Sequence, residues 1–212
     1  MSDPDAWARE AEDRVLTEAL NLAPVHGWTR ILVREAAKAA GLSAADGELL
    51  LPNGPADLAV LLARRHDERA LTALDGVDPA ALKIRARIRA AVEARLTASA
   101  GDDVALRRWA GWLALPHHLP MAAKLLWESA DRLWRWAGDT AVDENHYSKR
   151  AILAGILAGA TAIRLQSGHA AAMAFVDARI ANVMAYETWK AGLGPHTALH
   201  DIATALGKLR YG

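Results

Sequence analysis

The chain has 212 residues, of which 52% are hydrophobic, with 25 basic against 25 acidic side chains and no cysteine. Such a chain can bury a full core in one domain or two small ones, which excludes a disordered protein. Zero formal charge excludes an overall field toward nucleic acid or an anionic membrane, and the lack of cysteine excludes a disulfide framework and a thiolate metal site.

Abundant alanine, apolar residues spaced three and four apart, and almost no alternating β-branched runs predict an all-α fold. The first helix opens at Asp3 and Pro4, sets Trp7, Ala11, Val15 and Leu22 on one face, and stops at Gly27. Its leading residues are acidic and hold no apolar signal core, which points to the cytoplasm. Thr29 caps a second helix, RILVREAAKAA, that ends at Gly41. Ser43 with Asp46 forms a capping-box-like start for a short third. Helix, tight turn and short helix make a helix-turn-helix pattern. A DNA-reading helix needs Lys or Arg for phosphates and base edges. Between Ser43 and Leu58 there is none, while Asp46, Glu48 and Asp57 are negative and Leu49, Leu50 and Leu51 are apolar. The pattern therefore reads as scaffold, and no nucleic-acid partner is expected.

Asp78 and Pro79 start a helix with Ile84, Ile88, Val92 and Leu96 as its core stripe. Lys83, Arg85, Arg87, Arg89 and Arg95 lie largely off that stripe, as on a solvated face. Asp102 or Asp103 caps the next helix, through Trp109, Trp112 and Leu113. Residues 115–150 follow, with Pro116 and Pro120 in a turn and a helix opened by Pro120 and stopped by Gly138. Leu126, Ala130, Leu133 and Ala137 make one apolar face of that helix. Trp127, Asp131 and Trp134 recur on another, so it carries more large apolar surface than one core contact hides.

A long helix spans roughly 144–166. Its centre, AILAGILAGATAI, is apolar nearly all round and is expected to be buried nearly all round. This stretch without charge falls short of the ~20 residues a membrane span requires. Gly155 and Gly159 admit a close neighbour, either a second backbone such as a dimer seam or an elongated apolar ligand. A further helix from His169 to about Lys190 carries Phe175, Ile180, Val183 and Trp189, and Gly192, Gly194 and Pro195 break it. Beyond, Leu199, Ile202, Leu206 and Leu209 form the apolar stripe of a short amphipathic helix. Such a helix on a tether suits a membrane-surface anchor, and also an ordinary docked terminal helix.

No Glu-x-x-His pair, P-loop, dinucleotide fingerprint, G-x-S-x-G or H-E-x-x-H is present, so neither a metal, a cofactor nor catalysis is expected. His117 and His118 are neighbours in a turn; His196 and His200 share a face near the end. Asp131 is expected to make an interface hydrogen bond or to pair with Arg135.

Two resemblances stand out. The first sixty residues, with AL-x-LA-x-x-x-G-W-T, EAAKAAGLS and NGPADLA, resemble the N-terminal domain of TetR-type regulators. From Leu115, ALPHHLP, a D-x-L-W-x-W-AGDT block and D-x-N-x-Y-x-KR-A-x-L-A resemble the Coq-nine lipid-binding proteins, accessory proteins of ubiquinone biosynthesis. That resemblance covers nearly the whole chain. It departs at Glu144 and His146, where the family commonly has aromatics, and at Arg132, where it has a second acid; Asp143, Asn145, Tyr147 and Arg150 are retained.

The resemblance implies a TetR-like helical bundle with a degenerate helix-turn-helix (1–76), a lipid-binding helical domain (77–191) and a C-terminal amphipathic helix (195–212). It implies a homodimer, with no enzymatic activity, that holds a polyprenyl quinone or other isoprenoid lipid and presents it to the demethoxyubiquinone hydroxylase. A cytoplasmic protein peripherally associated with the inner membrane follows. The partner-facing patch carried over by position is Leu115, Pro116, His117, Leu119, Pro120, Asp131 and Trp134. On periodicity, the lipid would be lined by Ile88, Val92, Leu113, Leu126, Leu133, Ile152, Ile156 and Ile163, and the membrane met by Leu199, Ile202, Leu206 and Leu209. Two rival functions are a regulator of the TetR type with an apolar effector pocket and an enzyme of quinone metabolism.

Overall fold

The computed structural model describes residues 4–139 and 144–192, and all regular structure among them is helical. In order these are α1 (Pro4–His26), α2 (Arg30–Ala39), α3 (Ala44–Leu50), α4 (Pro55–Ala73), α5 (Ile84–Ala98), α6 (Asp103–Leu113), α7 (Leu119–Trp136), α8 (Glu144–Ser167) and α9 (His169–Gly192), with 3₁₀ turns at Pro79–Ala81 and Pro116–His118. The expected terminal stripe of Leu199, Ile202, Leu206 and Leu209 lies outside the described residues, as do His196 and His200.

The predicted caps form. Thr29 Oγ1 accepts from the Leu32 amide at 3.2 Å, and Ser43 Oγ accepts from the Asp46 amide at 3.1 Å while donating to Asp46 Oδ2 at 2.6 Å. Each satisfies an amide that a helix start leaves without a partner. The turn between α2 and α3 is tight because Gly47 packs directly on Ala37, where a Cβ would stand 3.0 Å from the alanine methyl. Glu48 and Leu49 are exposed on α3, and the helix AADGELL offers no cation to a phosphate.

Two cores organise the chain. The first gathers Val15, Leu16, Trp28, Leu32, Leu58 and Leu62 from α1, α2 and α4. α6 joins it through Ala105 and Leu106, although its sequence position lies past residue 77. The second gathers Ile88, Val92 and Leu96 of α5, Ala130 and Leu133 of α7, Leu153, Ile156 and Leu157 of α8, and Met173 and Val176 of α9.

Three expectations need correction. Trp7 is 45% exposed, since the buried line of α1 begins at Ala11. Ile84 is 43% exposed, because Asp78 caps the 3₁₀ turn instead of α5, whose first residue is then Ile84 itself, ahead of the stripe. α8 is not buried all round: Ala151, Ile152, Gly155, Ala158 and Ala162 form an open face.

Where the cores meet, α4 places buried polar groups. Asp67 accepts from Arg95 Nε at 2.6 Å and from Ser129 Oγ at 2.8 Å, joining α4, α5 and α7. His66, fully buried, lies 2.9 Å from Asp102 at the start of α6. With Nε2–H donated to that carboxylate, Nδ1 is left buried with no hydrogen-bond partner among the described residues. Burial pushes the imidazole below its ordinary 6.5, against the Asp102 hydrogen bond that favours the cation, and Arg95 and Arg69 add repulsion. The unfolded chain therefore takes up a proton that the folded one resists. Stability is fully present above pH ~6.5 and is lost as pH falls from there toward the lower folded-state pKa. Urea midpoints at pH 7.5 and 5.5 should show this loss, and His66→Gln should reduce the slope. An unchanged slope in that variant would remove His66 as the source.

Candidate functional site

The second face of α7 is covered by the start of α8. Trp134 Nε1 donates to the Lys149 carbonyl at 3.0 Å, and Lys149 Nζ lies 5.5 Å from the centre of the same ring. Arg150, 1% exposed, bonds Asp131 Oδ1 through Nε at 2.6 Å and Asp139 Oδ2 through Nη1 at 2.9 Å. Lys149 Nζ reaches Asp139 Oδ1 at 2.6 Å, and Arg135 reaches Asp131 Oδ2 at 2.7 Å. Burial works against an ionised Asp139, but the hydrogen bonds and charges of Lys149 and Arg150 outweigh it and hold its carboxyl below the ordinary carboxylate range. Gly138, at φ 87°, turns the chain so that Asp139 enters this cluster.

The residues carried over as a partner-facing patch thus fall into two groups. Asp131 and Trp134 are half-buried and already bonded within the chain. Leu115, Pro116, His117, Leu119 and Pro120 are exposed around the 3₁₀ turn, with Leu119 at 52% and Leu115 at 43%. His118 fixes that turn: Nδ1 lies 2.9 Å from the Trp112 carbonyl and its ring stacks on Trp112 at 3.6 Å. Positions 120 and 131 share α7, so they stand about 16 Å apart along its axis. Between the two groups, Trp127 lies against Tyr147 (6.0 Å) and His146 (6.5 Å), and Tyr147 is 63% exposed.

The residues expected to line a lipid are spread more widely than their periodicity suggested. Ile88, Val92 and Leu133 are buried inside the second core, with Leu126 and Ile163 packed half-buried against it. Leu113 belongs to a separate small cluster with Ala63 and Leu125. Ile152 and Ile156 do share a site. They line a groove of about 360 Å³ between α8 and α9, with Gly155, Phe175, Arg179, Asn182 and Val183.

The groove follows from local packing. Gly159 lets the Phe175 ring lie directly on α8, where a Cβ would meet Cζ at 2.8 Å. One turn earlier, Gly155 has nothing within 4 Å of its Cβ position, and that gap is the groove floor. Arg179 stands over Phe175 at 5.4 Å. The glycine pair was the sequence signal for a close approach, but periodicity did not single out Arg179 or Asn182, because polar residues on an outer helix look like solvent contacts. Among the described residues no group of three or more metal-ligating side chains converges, and no helix is long and apolar enough to cross a membrane.

A family model described as COQ9 matches residues 119–187, which take in α7, α8 and most of α9, and so both the ion-pair cluster and the groove. Among curated proteins, "Ubiquinone biosynthesis protein COQ9, mitochondrial" of Bos taurus is 36% identical over 155 residues, covering 69% of this chain and 48% of that protein. The Homo sapiens protein of the same name is 34% identical, covering the same shares. "Ubiquinone biosynthesis protein COQ9-B, mitochondrial" of Xenopus laevis is 30% identical over 168 residues, 74% of this chain and 56% of that protein. The chain spans about half the length of the curated relatives it matches. It belongs to the COQ9 family, whose matched members carry names that place them in ubiquinone biosynthesis.

Proposed function

We propose that this chain is a non-catalytic lipid-binding protein of ubiquinone biosynthesis, which takes a polyprenyl quinone intermediate from the membrane and presents it to the demethoxyubiquinone hydroxylase. The observation that carries this reading is the apolar groove between α8 and α9, with Ile152, Ile156, Phe175 and Val183 on its walls. A polyprenyl chain gains about 0.8 kcal/mol for each CH₂ removed from water, so an open apolar groove on a protein surface favours such an occupant. Its volume is at the small end of ligand pockets. It takes the head end and a few isoprene carbons. Ala158 and Ala162, exposed farther along α8, offer a second copy a close approach in a homodimer. The 195–212 segment meets the membrane surface of a peripherally bound cytoplasmic protein.

Native mass spectrometry of protein purified from cells tests the reading. A retained prenyl lipid is expected; persistently empty protein refutes it.

For the hydroxylase, the exposed turn is the better target, because Asp131 and Trp134 also tie α7 to α8. Leu119→Asp should leave stability within ~0.5 kcal/mol, as at an ordinary surface site. It should weaken capture of the hydroxylase about ten-fold or more, as expected for an anchor at an interface centre. Unaltered capture by that variant would place the contact elsewhere.

A further inference from the structure

Arg179 at the edge of the groove has a setting that an ordinary surface cation lacks. Its guanidinium lies over the face of Phe175 at 5.4 Å and has no carboxylate partner among the described residues. Arg89, by contrast, is neutralised: it bonds Asp177 at 2.8 Å and Glu93 at 2.8 Å. Asn182 braces Arg179. In the amide orientation that satisfies both ends, Asn182 donates to the Ala178 carbonyl at 3.3 Å and accepts from Arg179 Nη2 at 3.1 Å. A ring below and an amide beside it reduce the rotamer freedom this side chain would lose on meeting a ligand. The remaining walls are Ile152, Gly155, Ile156, Phe175 and Val183, which are apolar.

We infer that the groove also reads the head of its ligand by charge: among amphiphiles whose apolar chain lies on Ile152, Ile156 and Val183, it prefers one whose anionic head, a carboxylate or a phosphate, is held by Arg179, while a neutral quinone lies there by its chain alone. This rests on reading the groove as a lipid site and adds the chemical class of the head. A guanidinium meets such a head with paired N–H donors, whereas an ester brings no charge to offset its lost hydration.

The test compares binding of oleate and of methyl oleate, which share a chain and differ in head charge, to the full chain and its variants. The full chain should bind oleate about five- to ten-fold tighter, the size of one charge-assisted hydrogen bond at a partly solvated site. Arg179→Leu should erase that preference while keeping methyl oleate affinity, and Arg179→Lys should retain part of it. Oleyl phosphate in place of oleate shows whether carboxylate or phosphate is favoured. Equal binding of the two oleyl probes by the full chain, or a preference that survives Arg179→Leu, overturns the inference while leaving a charge-blind lipid groove intact. Failure of every probe, together with failure of a prenyl quinone, overturns the lipid reading itself.

Discussion

Arg150→Met should cost about 3 kcal/mol of folding stability, measured by urea unfolding at pH 7. Removing one member of a buried, hydrogen-bonded ion cluster costs roughly 3–5 kcal/mol, chiefly because the remaining charges stay buried without compensation. The side chains of Arg150 and Asp139 are 2% and 6% exposed, so this applies to them; Asp131, at 20%, is less confined. Lys149 still serves Asp139, and Arg135 still serves Asp131, which sets the expectation at the low end of that range. A pH dependence checks the cause. Asp139 is held below the ordinary carboxylate range, so its contribution is present above pH ~3.9 and is lost as pH falls through its lower folded-state pKa. In Arg150→Met that carboxyl should rise, and the gap between the two proteins should narrow as pH falls below about 4. A loss under 1 kcal/mol at pH 7 would mean that α7 and α8 are held by Trp134 and apolar contacts alone.

Gly155→Trp should abolish lipid binding and leave the fold untouched. The Cβ position has nothing within 4 Å, so the backbone accepts a side chain, and a helix interior tolerates tryptophan better than glycine by a few tenths of a kcal/mol. The indole would occupy the floor between Ile152 and Phe175. Affinity for a prenyl quinone should fall at least ten-fold, read by fluorescence quenching, with an unchanged urea midpoint. Gly155→Ala supplies the contrast, with binding retained and stability higher by roughly 0.5–1 kcal/mol. Binding that persists in Gly155→Trp would move the lipid to another part of the molecule.

Local information carried much of the architecture. Thr29, Ser43, Pro120 and Gly138 act on their own or the adjoining turn, and each does in the structure what its chemistry predicts in isolation. Periodicity found the stripe of Ile88, Val92 and Leu96 and that of Ala130, Leu133 and Ala137, because burial recurs with the helical repeat whatever the neighbour is. The same periodicity did not show that the residues expected to line a lipid fall in different parts of the fold, since a stripe says that a face is covered and not by what. Val92 and Leu133 are covered by protein, whereas Ile152, with the same letter pattern, opens on the groove.

Composition and spacing, then, settled that this is a helical chain with a helix-turn-helix stripped of cations and with more apolar surface than one core requires. Those properties reside in residue type and distance along one helix. Which surplus surface is closed within the chain and which stays open was decided only when the helices packed. Trp134 and Asp131 found partners on α8, while Phe175 settled over Gly159 and left Gly155 bare. Contacts between residues far apart in sequence depend on the angle and offset of two helices, and no repeat within either helix encodes that.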